Sequence, residues 1–154
     1  MSLRFTIKDW SAFASGLTSR DHWLAWAQAP RLPVGNDASA ITQMPVLLRR
    51  RLERLGRIAL QPVYDCQSPA DHGVPHVFAS RHGDLSRSYG LLQALARREP
   101  LSPTAFALST HNAIAAVYAI ARQLPANHVA VSAGPASAEA AVVEALGLLS
   151  QGAS

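Results

Sequence analysis

The chain is poor in several residue types, and each shortage excludes a class of protein. Its 154 residues include one cysteine, Cys66. A single thiol forms no internal disulfide and gives no sign of an oxidising compartment. Lys8 is the only lysine, so nearly all the positive charge is arginine. Aromatic residues make up 6% of the chain, which leaves alanine and leucine to fill much of any core. No apolar run approaches the roughly 20 residues that span a bilayer; the nearest, Ala113 to Ala121, is far too short. The opening MSLRFTIKDW alternates charged and apolar residues and lacks the apolar stretch of a secretory signal. These features predict a cytoplasmic protein without membrane insertion.

What is present suffices for a packed core. Hydrophobic residues are 49% of the chain, and the length suits one domain over residues 1–154. The formal net charge is +4. A basic surface asks for an acidic partner: nucleic acid, anionic lipid or an acidic protein. Charge alone does not choose among them.

Leu3, Phe5 and Ile7 alternate with Arg4, Thr6 and Lys8, the period of a half-buried strand. Ser19 is placed to cap a helix over residues 20–28 that carries Trp23 and Trp26. Residues 34–43 have no period and read as a loop. From Pro45 onward, Leu48, Leu52, Leu55 and Ala59 recur at helical spacing. Arg49, Arg50, Arg51, Glu53, Arg54 and Arg57 occupy most of the rest. One amphipathic helix with a basic outer face is expected, kinked or ended by Pro62.

Residues 74–80 read as a strand. Asp84 then caps a helix over residues 85–98, with Leu85, Tyr89, Leu92 and Ala96 on one face. A helix over residues 111–122 is apolar almost all round, which implies burial on every side. Val129 to Val131 form a short strand, and Gly134 and Pro135 make a sharp turn. The last helix runs to Leu149, with Ala138, Val142, Ala145, Leu146 and Leu149 facing inward. Alternating strands and helices predict an α/β layered sheet with buried helices.

The chemistry-bearing residues are few. Ser132 and Ser137 lie near a helix N-terminus, but no general base is evident beside either. No Gly-x-Ser-x-Gly elbow is present. His72 and His76 have the spacing of some zinc sites, yet no cysteine pair completes four ligands, so no metal is expected. No cofactor is expected either. His111 reads as a satisfied core or interface histidine, and Asn112 is expected to bond to backbone across the sheet. Cys66 reads as an inert, partly buried thiol. The Arg49–Arg57 face reads as a solvated helix face or a docking surface. It lacks the aromatic interleaving of a nucleic-acid site, and no nucleic-acid partner is expected.

Several runs carry a family resemblance. Residues 78–85, FASRHGDL, are similar to the strand-to-loop segment in the first half of β-ketoacyl synthases. Residues 102–113, SPTAFALSTHNA, resemble the SPT-F-S-HNA signature of chain length factors. These are synthase-like proteins that accompany catalytic synthases in aryl polyene and related pigment clusters. Residues 47–57, LLRRRLERLGR, fit the same family.

The resemblance implies a thiolase-like fold, with this chain matching the first half only. It also implies a place for the nucleophilic cysteine, where the buried strand enters a helix. A helix N-terminus lowers the thiol pKa there, and backbone N–H groups stabilise the oxyanion. In this chain that turn is Ser132-Ala133-Gly134-Pro135-Ala136-Ser137, a degenerate turn with Gly134 beside Pro135 at the nucleophile position. Proline brings no nucleophile and no N–H. The two histidines of the catalytic second half have no counterpart in the chain.

The implied role is a non-catalytic subunit in fatty acid, polyketide or aryl polyene biosynthesis. It pairs with a catalytic β-ketoacyl synthase as a dimer. The resemblance further implies a place where acyl carrier protein would dock, on Arg49, Arg50, Arg54 and Arg57, with His111, Asn112 and Ser109 expected to serve the interface or the structure. The apolar helix from Asn112 to Ile120 and the strand Val129–Val131 lie near that interface. Two other readings stand beside this one. One is an independent acyl-transfer enzyme using Ser132 or Ser137, and the other is a basic binding module with no acyl role.

Overall fold

Ser19 starts the first helix for the reason its position predicts. In the computed structural model, which describes residues 4–68 and 73–153, its Oγ accepts the His22 N–H at 3.2 Å. Helix α1 (Arg20–Gln28) follows. Trp23 and Trp26 meet edge to face, 5.5 Å between ring centres. The Trp23 indole N–H reaches the Ala12 carbonyl at 2.9 Å. The chain forms two compact units, residues 4–69 and residues 70–154, each with its own core.

In the first unit the expected N-terminal strand does not form. Residues 4–8 have no ladder partner, and Phe5 and Ile7 are exposed; Leu3 lies outside the described residues. Alternation supplies a propensity, but a strand also needs a neighbour to pair with.

The helix expected from Pro45 is two helices, α2 (Val46–Arg49) and α3 (Arg54–Cys66). Glu53 between them takes an extended backbone, φ −73° and ψ −179°. Packing explains the break. The buried side of this region runs Leu52, Gly56, Leu60, Tyr64, one residue per turn, while Leu55 and Ala59 stay outside. Helix α3 also passes through Pro62 rather than ending there. An interior proline costs about 3 kcal/mol. Burial of Leu60 and Tyr64 on either side offsets this, at roughly 1.5–3 kcal/mol for a large apolar side chain. Residues 34–43 are a loop as expected, yet Ile41 and the adjoining Met44 are buried in the core. Ile41 holds a left-handed backbone, φ +40°.

The second unit is built on two parallel strands, β1 (His76–Ala79) and β2 (His128–Val131), with His76 opposite His128 and Ala79 opposite Val131. Between them the chain runs through α4 (Leu85–Ala96), α5 (Pro103–Ala107) and α6 (Ala113–Arg122). Asp84 caps α4 as expected, accepting the Arg87 N–H at 3.3 Å. Helix α6 buries Ala113, Ala115, Val117 and Tyr118. The Tyr118 ring lies 5.9 Å from that of His76 and 6.2 Å from that of Phe78. Burial is not all round, since Ile120 is exposed.

Helix α7 (Ser137–Ser150) packs on both strands. Ala138, Val142 and Leu149, expected inward, are exposed; Ala145 and Leu146 are half-buried. A helix apolar nearly all round gives no period from which to choose a face. The α4 stripe of Leu85, Tyr89 and Leu92 is also exposed. No described helix is long and apolar enough to cross a membrane.

Candidate functional site

Ligand sites in α/β sheets gather beyond the carboxyl ends of the strands. Here three loops meet at that end: residues 80–84 after β1, residues 108–112 before α6, and residues 132–137 after β2. Gly83 brings the first two together. Its φ is +63°, and a Cβ there would lie under 3.0 Å from the Ser109 carbonyl oxygen, 3.0 Å from Thr110 C and 3.2 Å from His111 N. Only glycine allows this approach. The Asp84 N–H donates to the Ser109 oxygen at 3.1 Å. The buried Asp84 carboxylate accepts from Arg87 Nε at 3.2 Å.

The Arg81 carbonyl joins the other pair of loops. It lies 3.3 Å from His111 Nε2 and accepts from Ser132 Oγ at 3.4 Å. A carbonyl only accepts, so the contact is a hydrogen bond in the tautomer that carries its proton on Nε2.

The turn after β2 is a tight strand-to-helix elbow. Gly134 makes the bend, with φ +58°, and a Cβ on it would meet nothing within 4 Å. Pro135, which the sequence places at the nucleophile position, follows inside a 3₁₀ turn, Gly134–Ala136. Ser137 locks the elbow. Its Oγ accepts the Ala133 N–H at 3.0 Å and donates to the Gly134 carbonyl at 2.7 Å, and the residue is 6% exposed. Its proton and a lone pair are both committed to backbone. Ser137 is therefore a structural hydroxyl, since a nucleophile needs a base to take its proton.

Ser109 Oγ donates to the Phe106 carbonyl at 2.8 Å. Asn112 does not reach across the sheet: its Oδ1 accepts from Thr110 Oγ1 at 2.8 Å. Asn112 is exposed, and its partner is a hydroxyl two residues away in its own loop. His76 sits in β1, and His72 lies outside the described residues. Cys66 ends α3; burial, then the charges of Asp9 and Asp65, push its thiol above the ordinary value. An apolar groove of about 290 Å³ flanks the amino end of β1, lined by Val74, Pro75, Val77, Ala145, Leu148 and Leu149.

The arginines divide. Arg49 Nη1 donates to the Ala40 and Ile41 carbonyls at 3.2 and 3.3 Å. Arg57 donates to Leu52 O at 3.2 Å and Arg49 O at 3.5 Å. Arg54 donates to Ser15 Oγ. Arg50 is exposed. The parts that tie the loops together were not legible as such in the sequence: Gly83, the Arg81 carbonyl and the Asp84–Arg87 pair. The signal for Gly83 and Asp84 was the HGD triplet, a glycine directly before a helix cap.

Residues 23–154 match the family model for the β-ketoacyl synthase N-terminal domain. A chain from the complex of a ketosynthase (ApeO) with its chain length factor (ApeC) from Xenorhabdus doucetiae is 35% identical, with a TM-score of 0.82. That match covers 99% of this chain and 64% of the other. A β-ketoacyl synthase from Burkholderia phymatum STM815 shares the fold at 16% identity and a TM-score of 0.62, covering 84% of this chain and 36% of its own. The chain therefore spans less than two thirds of the length of either relative. No curated protein matches it.

Proposed function

This chain belongs to the β-ketoacyl synthase family, with its thiolase-like fold, and from that premise we propose that it is a non-catalytic subunit of the chain length factor type. It pairs with a catalytic synthase and shapes the space that holds the growing acyl chain. The observation that carries this reading is the elbow after β2. It keeps a sharp strand-to-helix bend, but the position read as the nucleophile's is Pro135, which follows Gly134 in the 3₁₀ turn and brings no nucleophile, and Ser137 is tied to backbone. The scaffold for a nucleophile is kept and the nucleophile is not.

Two further observations support a paired subunit. The α4 stripe of Leu85, Tyr89 and Leu92 is exposed, and contiguous exposed apolar surface marks interaction sites. The Xenorhabdus relative is a complex of a ketosynthase with its chain length factor. The SPT-F-S-HNA signature favours an aryl polyene or related polyketide product.

The test is co-expression with a catalytic ketosynthase similar to ApeO, followed by gentle size-exclusion chromatography. A stable complex is expected. After incubation with an acyl-loaded carrier protein, mass spectrometry should find the acyl group on the synthase alone. Elution of the chain by itself, or an acyl adduct on Ser132, defeats the proposal; the adduct points instead to an independent acyltransferase.

A further inference from the structure

The stretch that leads into α1 is tied down by side chains. Residues 4–14 include no buried residue. Among the described residues, no backbone-to-backbone hydrogen bond involves residues 4–13. A segment with neither burial nor a ladder sits at the low-stability end of a fold. The body of the first unit begins just after it. Ala14 and Leu17 exchange two backbone bonds, at 2.9 and 3.0 Å, and Leu17 is buried.

One side chain makes most of the attachment. Arg20 Nη2 pairs with Asp9 Oδ1 at 2.5 Å and donates to the Trp10 carbonyl at 2.6 Å. The same guanidinium lies 4.7 Å from the centre of the Trp10 ring. Two further bonds complete it: Ser11 Oγ donates to Asp65 Oδ2 at 3.0 Å, and Trp23 Nε1 donates to the Ala12 carbonyl at 2.9 Å. Arg20 is the first residue of α1, where a cation opposes the helix dipole, so the helix itself gains nothing from it. The packing is also incomplete. A cavity of about 180 Å³ remains, lined by residues 9–12 of the segment and by Thr18, Arg20 and Asp65. Such a gap forfeits the dispersion contacts that close packing supplies.

We propose that residues 4–12 form a strap that swings off α1 and α3 as one piece, with Arg20 as its latch and residues 13–14 as its hinge. The Asp9 and Arg20 side chains are each about half exposed, and exposed ion pairs and cation–π contacts are individually weak. The strap therefore opens while the core of Leu17, Ile41, Leu60 and Tyr64 stays closed. Opening uncovers the polar cavity and takes the Asp9 carboxylate away from Cys66. This device does not rest on the role proposed above.

The test compares the full native chain with Arg20→Gln by two readouts. Chymotrypsin should cut first in the strap, after Phe5 or Trp10, and leave the rest of the chain intact. Cleavage there should run about fivefold to tenfold faster in Arg20→Gln, the loss of an exposed ion pair and a cation–π contact together. Alkylation of Cys66 by iodoacetamide is the second readout. Burial, Asp9 and Asp65 raise this thiol's pKa, in that order, and the weaker influence of Arg20 lowers it. If the strap stayed closed, losing Arg20 would slow the reaction. An open strap removes the stronger influence of Asp9, and the thiolate that reacts becomes more abundant. Faster alkylation with an unchanged Tm, read by circular dichroism, is the expected result. First cleavage outside residues 4–14 overturns the proposal. So does a fall in Tm, or alkylation of Arg20→Gln no faster than that of the native chain.

Discussion

Replacing Gly83 by alanine tests how the three loops are held together. Two costs arise at once. Alanine in a left-handed backbone such as φ +63° loses about 1–2 kcal/mol. The added Cβ also lands under 3.0 Å from the Ser109 carbonyl oxygen, with Thr110 C and His111 N close behind. All three are backbone atoms, so no flexible side chain can swing aside. Residues 109–111 must shift, and overpacking of this kind costs about 1–3 kcal/mol. The shift also stretches the Asp84 N–H bond to Ser109, now 3.1 Å, and a net hydrogen bond is about 1 kcal/mol. The expected loss is about 3–6 kcal/mol, a fall in Tm of roughly 6–24 °C for a chain of this size.

Gly134 supplies the control. Its φ is +58°, but a Cβ there meets nothing within 4 Å, so Gly134→Ala carries only the backbone cost. That is about 1–2 kcal/mol, or roughly 2–8 °C. Thermal unfolding followed by circular dichroism compares the two directly. If both variants fall by the same few degrees, the close approach at Gly83 is not the constraint inferred here.

Two further outcomes follow from the first unit. Arg49→Met should destabilise it by about 1.5–3 kcal/mol, because the Ala40 and Ile41 carbonyls lose a charged donor where Ile41 holds φ +40°. Urea unfolding monitored by the fluorescence of Trp23 and Trp26 reads this, and an unmoved midpoint shows that Arg49 is a surface charge only. Cys66 should alkylate slowly at neutral pH. Burial and the charges of Asp9 and Asp65 raise its pKa, so the reactive thiolate appears only as pH climbs past the ordinary 9.0. Iodoacetamide reacting as fast with the native chain as with the urea-unfolded chain contradicts this.

Local chemistry made much of the fold legible. Ser19 and Asp84 each carry a side-chain oxygen at a helix start, and in the structure each accepts the N–H three residues on. Strands β1 and β2 fall inside apolar runs bounded by turn residues. The errors came where a neighbour decides. The Leu48–Leu52–Leu55 spacing fits one long helix, but burial of Leu52, Gly56, Leu60 and Tyr64 sets a different face and breaks the chain at Glu53. The apolar residues of α7 fit any face, and the sheet chose one that leaves Val142 and Leu149 outside.

The candidate site divides in the same way. By its residue types alone the sequence determined that the turn after β2 has no thiol, that Gly134 and Pro135 interrupt it, and that arginine dominates the charge. Such facts are written one residue at a time, because side-chain chemistry and backbone preference belong to the residue. Tertiary structure alone decided that Ser137 is spent on the elbow, that His111 and Ser132 share the Arg81 carbonyl, and that Arg49 and Arg57 are clamps while Arg50 is exposed. A hydrogen bond joins groups that may be 51 residues apart, as Ser132 and Arg81 are, and only folding brings them within 3.4 Å.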